Sequence, residues 1–269
     1  MEINRNNVFE IIDKSGLKPE KDYGQNYLLD TSICQRIVEL LEVNKDEKVL
    51  EIGPGLGSLT HFLSQTNGQI TLVDIDQRMT NFLRIVYQDK NVEIVEKDIR
   101  KKDVSNYEKI VGNLPYNITT ETIQYLLLNA SKCTRMVFMI QSETFNHFYD
   151  VGGKEYGPTS VLIHLLGTIE KLFVVKAGSF YPAPKCNSTV FAINIDTRVN
   201  RFATINAFKV AKQLFLNRRK TILNNLVNYL KNKDLASKVC EDLRIDPLLR
   251  PEQLSPEMYL AISEYLSRK

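Results

Sequence analysis

Four consecutive residues, Asn113, Leu114, Pro115 and Tyr116, follow the strand-like run "KIVG" and suit one problem in nucleophilic chemistry. An amine conjugated to an aromatic ring is a poor nucleophile because its lone pair is delocalised into the ring. The Asn113 side-chain oxygen and the Leu114 carbonyl can each accept one of its protons, drawing the nitrogen toward a pyramidal geometry with its lone pair aimed at a methyl donor. Pro115 holds Leu114 extended, so that carbonyl is fixed before a substrate arrives. Tyr116 offers a ring for a base to stack on, worth roughly 1–3 kcal/mol. Adenine N6 is an amine of this kind. Attack on a sulfonium carbon needs no metal and no covalent enzyme intermediate, so in-line positioning supplies most of the catalysis.

A methyl donor needs its own site, and "VLEIGPGLGSLTHFL" reads as a strand, a glycine-rich turn and a helix. Gly53, Gly55 and Gly57 permit tight backbone turns and close ligand approach. A dinucleotide fingerprint wants its third glycine one place later, where Ser58 stands. The G-x-G-x-G spacing after Glu51 is instead similar to the S-adenosylmethionine loop of Rossmann-like methyltransferases. Asp74 lies 19 positions after Gly55, where a carboxylate can accept from both ribose hydroxyls. Strand phase alone does not separate Asp74 from Asp76 for that role. Asp98 closes the next strand, placed to accept from an exocyclic amine of adenine.

These positions require a scaffold that brings several strand ends together. Short Val- and Ile-rich runs, "KVLEIG", "QITLVDID", "VEIVEKD", "KIVGNLPY" and "RMVFMI", alternate with helical patterns, the order of a parallel, doubly wound α/β sheet. "EKLFVVKAG" and "STVFAINID" read as an antiparallel closing hairpin at the sheet edge. "NITTETI" reads as a helix start with Thr119 or Thr120 as N-cap. From about Phe202 the pattern is helical throughout. The expected division is residues 1–198, a catalytic α/β domain with an N-terminal extension, and residues 199–269, a small all-α domain. No repeat or low-complexity segment interrupts either part.

The chain has 269 residues, 43% hydrophobic and 25% charged, an ordinary globular composition. Its net charge of +3 is unevenly placed: Thr197–Lys269 carries 14 basic and 7 acidic residues, a net +7 that leaves −4 on the preceding part. A basic module on a mildly acidic one suggests a polyanionic partner. Four scattered cysteines and three histidines without ligand spacing suggest neither a disulfide framework nor a metal site. The start lacks the apolar core of a signal peptide and no segment reaches membrane-spanning length, so a cytoplasmic location is expected.

Seven blocks, "YGQNYLLD", "VLEIGPGLGSLT", "VGNLPYNITT", "YGPTSVLI", "FYPAPKCNST", "NRRKTILNNL" and "RPEQLS", together resemble the rRNA adenine N6,N6-dimethyltransferases of the KsgA type, in order and over nearly the whole chain. The resemblance implies a Rossmann-like methyltransferase sheet with a helical RNA-binding domain. It implies transfer of two methyl groups to each of two adjacent adenosines near the 3′ end of small-subunit rRNA, with S-adenosylmethionine as donor and no metal. The implied cofactor contacts are Asn26, Leu28, Gly53, Gly55, Asp74, Asp98 and Asn113, which favours Asp74 over Asp76. Asn113 would also serve the target amine with Leu114, Pro115 and Tyr116, and Phe180 would stack on the other face of the adenine. Arg218, Arg219 and Lys220, expected on one helix turn, would contact RNA phosphates and make binding salt-sensitive.

A monomer meeting the small-subunit rRNA or a small-subunit precursor is the expected partner arrangement. Two rivals share parts of the pattern. The Erm type, acting on large-subunit rRNA, has the same loop and Asn-x-Pro-Tyr site, whereas "RRKTILNNL" and "RPEQLS" look like the KsgA type. A ribosome-assembly binding factor with incidental catalysis is the other. DNA adenine methyltransferases usually place Asp first in the tetrapeptide, and Asn113 argues against them.

Overall fold

The computed structural model describes residues 1–20, 24–115 and 118–268. The chain divides into two compact units: Met1–Glu143 with Glu170–Ile195, and Thr144–Ile169 with Asp196–Lys269. The expected boundary after residue 198 falls close to the second crossing, but the helical unit also takes in Thr144–Ile169. That segment contributes Tyr156 and Val161 to the same buried core as Val210, Leu226 and Tyr259. Tyr156 and Val161 of that segment are thus buried among the C-terminal helices.

The first unit is built on a seven-stranded sheet. Its strands are β2 (Lys48–Ile52), β3 (Gln69–Asp74), β4 (Val92–Glu96), β5 (Lys109–Asn113), β6 (Arg135–Gln141), β7 (Gly167–Val175) and β9 (Ser188–Ile195), in the order β4-β3-β2-β5-β6-β9-β7. β2 to β6 are mutually parallel, and β9 runs antiparallel to β6. All five runs read as parallel strands are present, and β7 and β9 lie side by side at the edge. Parallel strands are covered on both faces, which is why β2, β5 and β6 are buried nearly throughout. The chain leaves β2 toward β3 and β4, then returns to the other side of β2 as β5. That reversal parts the loops after β2 and β5 and opens a crevice at the carboxyl ends of the strands.

A second sheet has no counterpart in the sequence pattern: β1 (Tyr27–Leu28) pairs antiparallel with β8 (Phe180–Tyr181). The helices of this unit are α1 (Val8–Ser15), α2 (Thr31–Glu39), the single turn α3 (Thr60–Leu63), α4 (Gln77–Val86) and α5 (Thr119–Asn129). Asp30 and Asp76 accept backbone N–H groups at the starts of α2 and α4. At α5 the expected cap is displaced. Thr119 is the first helical residue, Ile118 occupies the cap position, and the Thr119 hydroxyl donates to the Pro115 carbonyl at 2.8 Å. This bond ties the first helical residue to the turn before it.

α6 (Ser142–Tyr149) leads into the helical unit, which holds α7 (Pro158–Leu166), α8 (Arg201–Leu214), α9 (Ile222–Leu230), α10 (Lys233–Asp242) and α11 (Pro256–Ser267). Asn200, Thr221, Asn232 and Ser255 cap α8 to α11 with side-chain oxygens, so each helix start is written into the sequence. Arg218, Arg219 and Lys220 lie in the turn before α9, not on a helix. Thr221 begins a new helix there, and Asn225 Nδ2 donates to the carbonyls of Asn217, Lys220 and Thr221 at 3.1–3.2 Å. These bonds tie the turn to the first turns of α9.

Candidate active site

A cavity of about 320 Å³ opens at the carboxyl ends of β2, β3 and β5, and residues following β4 complete its wall. It lies where the strand order reverses, the usual ligand edge of an open α/β sheet. Its floor is the loop after β2. Gly53, Gly55 and Gly57 all have positive φ, and the Gly53 N–H donates to the Val73 carbonyl at 2.9 Å. A Cβ on Gly55 would stand 3.3 Å from the Tyr27 ring, so the loop can be this tight against β1 only without a side chain.

Acidic groups line one side. Asp74 ends β3, and burial pushes its carboxyl up to about 6, although backbone N–H groups of Asp76 and Gly55 act in the opposite sense. Asp76 does not line the cavity. Its carboxylate is engaged by Arg78, at 3.0 Å to Nε and 2.6 Å to Nη2, and by Gln25 Nε2 at 3.0 Å. The strand ambiguity between the two acids thus becomes a difference in place: one faces the cavity, the other anchors α4. Asp98 lines the far end and Ile75, more than half exposed, offers an apolar face beside Asp74.

Asn113 is the last residue of β5, across the crevice from the glycine loop. Its Nδ2 donates to the Asn26 carbonyl at 3.1 Å. This orients the amide, leaving Oδ1 without a donor among the described residues. The next residue is set with equal care: the Leu114 N–H donates to the Met139 carbonyl at 3.1 Å, its side chain is buried, and its own carbonyl accepts nothing among the described residues. Two oriented acceptors therefore stand together, with Pro115 behind them. Tyr116 lies outside the described residues.

Phe180 departs from its expected place. Its ring is only 5% exposed, sits in the core with Leu28 and Val190, and does not line the cavity. The β1–β8 pairing accounts for this, since Phe180 is the direct cross-strand partner of Leu28 and shares its buried core. Asn26 and Leu28 both line the cavity, and Asn26 Nδ2 donates to the Gly24 carbonyl at 3.1 Å. In the helical unit Arg218 is occupied: it donates to the Gly153 carbonyl at 3.0 Å and lies over the Phe215 ring. Arg219 and Lys220 are exposed and without an acidic partner among the described residues.

Comparison with known proteins decides the class. The family model described as Ribosomal RNA adenine dimethylase matches residues 16–268. The chain belongs to the ribosomal RNA adenine dimethylase family. The family's curated relatives include a Malacoplasma penetrans protein named Ribosomal RNA small subunit methyltransferase A, 33% identical over 95% of this chain and 94% of its own. A Mycoplasma mycoides protein of the same name is 34% identical over 91% and 97%. Among solved structures, a dimethyladenosine transferase from Plasmodium falciparum superposes with a TM-score of 0.76 at 22% identity, covering 90% of this chain and 97% of that one. The 23S rRNA methyltransferase ErmE gives 0.69 at 23%, covering 90% and 99%; these two likenesses establish the fold.

A dimethylase of this kind is an rRNA adenine methyltransferase and takes its methyl groups from S-adenosylmethionine. The residues present fit that donor: a glycine cradle that a Cβ would obstruct, a carboxylate at each of two strand ends, and an apolar face between them. Sequence reasoning missed one feature of the dimethylase cavity. Glu51, at the end of β2 and 1% exposed, accepts from the Thr60 hydroxyl at 2.7 Å. Burial pushes its carboxyl up to about 8; the Thr60 bond acts downward and the nearby Asp74 charge upward. Its apolar strand hid this, for nothing in the spacing marks Thr60 as a partner.

The pH consequence of Glu51 follows from the direction of its shift. A carboxyl whose folded pKa is raised contributes stability below its unfolded pKa and loses it as pH rises toward about 8. Glu51→Gln keeps an acceptor for Thr60 and removes the ionisation. The substituted protein is expected to melt above the unsubstituted one at pH 8.5 and together with it at pH 4.5, read from Tm at both values. A Tm difference that does not change with pH would show that Glu51 is not held neutral.

Proposed function

We propose that this protein dimethylates the N6 amines of two adjacent adenosines near the 3′ end of small-subunit rRNA, as a step in building the small ribosomal subunit. The observation that carries the reading is the pair of acceptors at the end of β5, Asn113 Oδ1 and the Leu114 carbonyl, fixed before any substrate arrives by the Asn26 and Met139 carbonyls. The names of the relatives support the small subunit as substrate. The exposed Arg219 and Lys220 support phosphate contact from residues 199–269, with Arg218 anchoring the turn.

Asn113 and Leu114 accept the two N6 protons, turning the nitrogen lone pair out of the purine plane and toward the cavity. Asp74 accepts the ribose hydroxyls, Asp98 the exocyclic amine, and Asn26, Leu28, Gly53 and Gly55 enclose the rest of the cofactor. S-adenosylmethionine, when bound, supplies a methyl group on a sulfonium sulfur, which keeps the C–S electron pair as the new N–C bond forms and an N6 proton passes to water. Pro115 limits motion of the acceptors, and Tyr116 supplies the stacking face. A monomer in the cytoplasm, where ribosomal subunits are assembled, suits this role.

The test supplies isotopically labelled S-adenosylmethionine with unmethylated small or large ribosomal subunits and maps the modified base. Label is expected on two neighbouring adenosines of small-subunit rRNA. Label confined to large-subunit rRNA would replace this substrate with that of the Erm type. Binding without label would leave a binding factor.

A further inference from the structure

Asp98 caps the turn Ile99–Lys101 that follows β4, and its carboxylate is almost fully engaged. Oδ1 accepts from the Arg100 backbone N–H at 2.9 Å and from Arg100 Nε at 3.0 Å. Oδ2 accepts from Arg100 Nη2 at 2.8 Å. The remaining terminal nitrogen, Nη1, donates to Glu121 Oε2 in the first turn of α5 at 2.8 Å. The guanidinium is thus held by carboxylates on both sides, in the planar two-pronged geometry that fixes orientation as well as distance. Asp98 and Arg100 both line the cavity, and the Asp98 side chain is only 15% exposed.

Each carboxylate oxygen offers two in-plane lone pairs. Arg100 uses both on Oδ1 and one on Oδ2, so one Oδ2 lone pair remains for a ligand. Held only by the Arg100 backbone N–H at Oδ1, the carboxylate could turn about that bond and present Oδ2 to a donor elsewhere on a purine edge. Arg100 also holds the carboxyl below the usual carboxylate range, so this edge stays an acceptor. A 6-amino purine presents an N–H there. A 6-oxo purine presents an oxygen, which meets the lone pair as like against like.

We propose that Arg100, braced by Glu121, is a positioning residue that turns Asp98 so that a single lone pair meets the purine edge, and that this relay makes the cofactor site select a 6-amino over a 6-oxo purine. The inference rests on the reading of this cavity as an adenosyl site with Asp98 at the purine edge. A clamp on the acceptor converts a carboxylate able to satisfy several donors into one that satisfies a donor in one place, and a fixed polar group left unpaired is what makes a site reject an analogue.

The experiment measures calorimetric affinities of S-adenosylhomocysteine and S-inosylhomocysteine for the full chain and three variants. The unsubstituted protein is expected to prefer the adenosyl compound by about 10²-fold. Arg100→Ala is expected to bring that ratio below about tenfold, and Glu121→Gln, which leaves Arg100 in place, to give an intermediate ratio. Asp98→Asn separates the two layers of the argument. If it leaves the ratio at the unsubstituted value, the purine edge is not at Asp98 and the underlying reading fails. If Asp98→Asn collapses the ratio while Arg100→Ala leaves it unchanged, the site is adenosyl-specific and the relay alone is overturned. Equal affinity changes for both compounds in Arg100→Ala would likewise overturn selection, since loss of packing would weaken both alike.

Discussion

Asn113→Ala is expected to lower kcat for methyl transfer by about 10²–10³-fold, the usual loss when one pre-oriented hydrogen-bonding group is removed from a reacting centre. RNA affinity is expected to stay nearly unchanged, because no phosphate contact is removed. The structure adds a sharper comparison. In the proposed mechanism Asn113 does two jobs with two different atoms: Nδ2 donates to the Asn26 carbonyl, and Oδ1 is left to accept from the amine. Asn113→Asp keeps the size and the acceptor but sets a carboxylate oxygen against the Asn26 carbonyl, where a donor is required. The carboxylate must then turn away or hold a proton, and Asp is expected to restore little of the lost rate. Single-turnover methylation of small-subunit rRNA, with RNA binding measured in parallel, reads both variants. Wild-type turnover by Asn113→Ala would remove this residue from the reaction. Full turnover by Asn113→Asp would show that the bond to Asn26 is dispensable.

Gly112→Ala is the second large effect, and it works through the sheet. A Cβ at this position would stand 2.7 Å from the Ile52 carbonyl oxygen and 3.3 Å from both the Ile52 Cβ and a Leu114 methyl. Gly112 pairs with Ile52 in the β2–β5 ladder, so the obstructing atom is backbone in the centre of a parallel sheet and cannot swing aside. Overpacking of this kind costs about 1–3 kcal/mol. The strands must separate just where they carry the glycine loop and Asn113. Activity is therefore expected to fall by more than the folded fraction does, since displacements near 1 Å at a reacting centre can cost about 10²-fold. Thermal melting gives the first quantity and turnover at a temperature where the variant is fully folded gives the second. Normal turnover in the folded variant would show that the spacing of β2 and β5 does not set the site.

The parts of the fold visible from sequence are those with a repeating physical signal. β2 to β6 each combine a run of Val, Ile and Leu with a turn, and buried parallel strands have little choice but to look like this. The glycine loop, Asp74 and Asn113 were legible as a set because a strand end, a loop and a helix start recur in fixed order around them. What was hidden had no period. The β1–β8 pair is two residues long on each side, too short to show as a pattern, so the resemblance alone places Phe180 against the target adenine while its pairing with Leu28 puts it in the core. Position along the chain places Thr144–Ile169 in the α/β domain of residues 1–198, whereas Tyr156 and Val161 find their partners among helices far downstream. The turn at Arg218 to Lys220 reads as helical because residues on both sides are; the Thr221 cap that starts α9 and the carbonyl bonds from Asn225 that hold the turn carry no periodic signal.

The split composition of the two units bears on how such a protein can change over time. Each unit is assembled from two stretches of chain, and the stretches alternate. Neither unit can be gained, lost or exchanged by a single join in the coding sequence: a break near residue 196 leaves Tyr156 and Val161 without the helices that bury them. Catalysis and the basic helical surface are in that sense inherited together, and novelty in one has to arise residue by residue in the presence of the other.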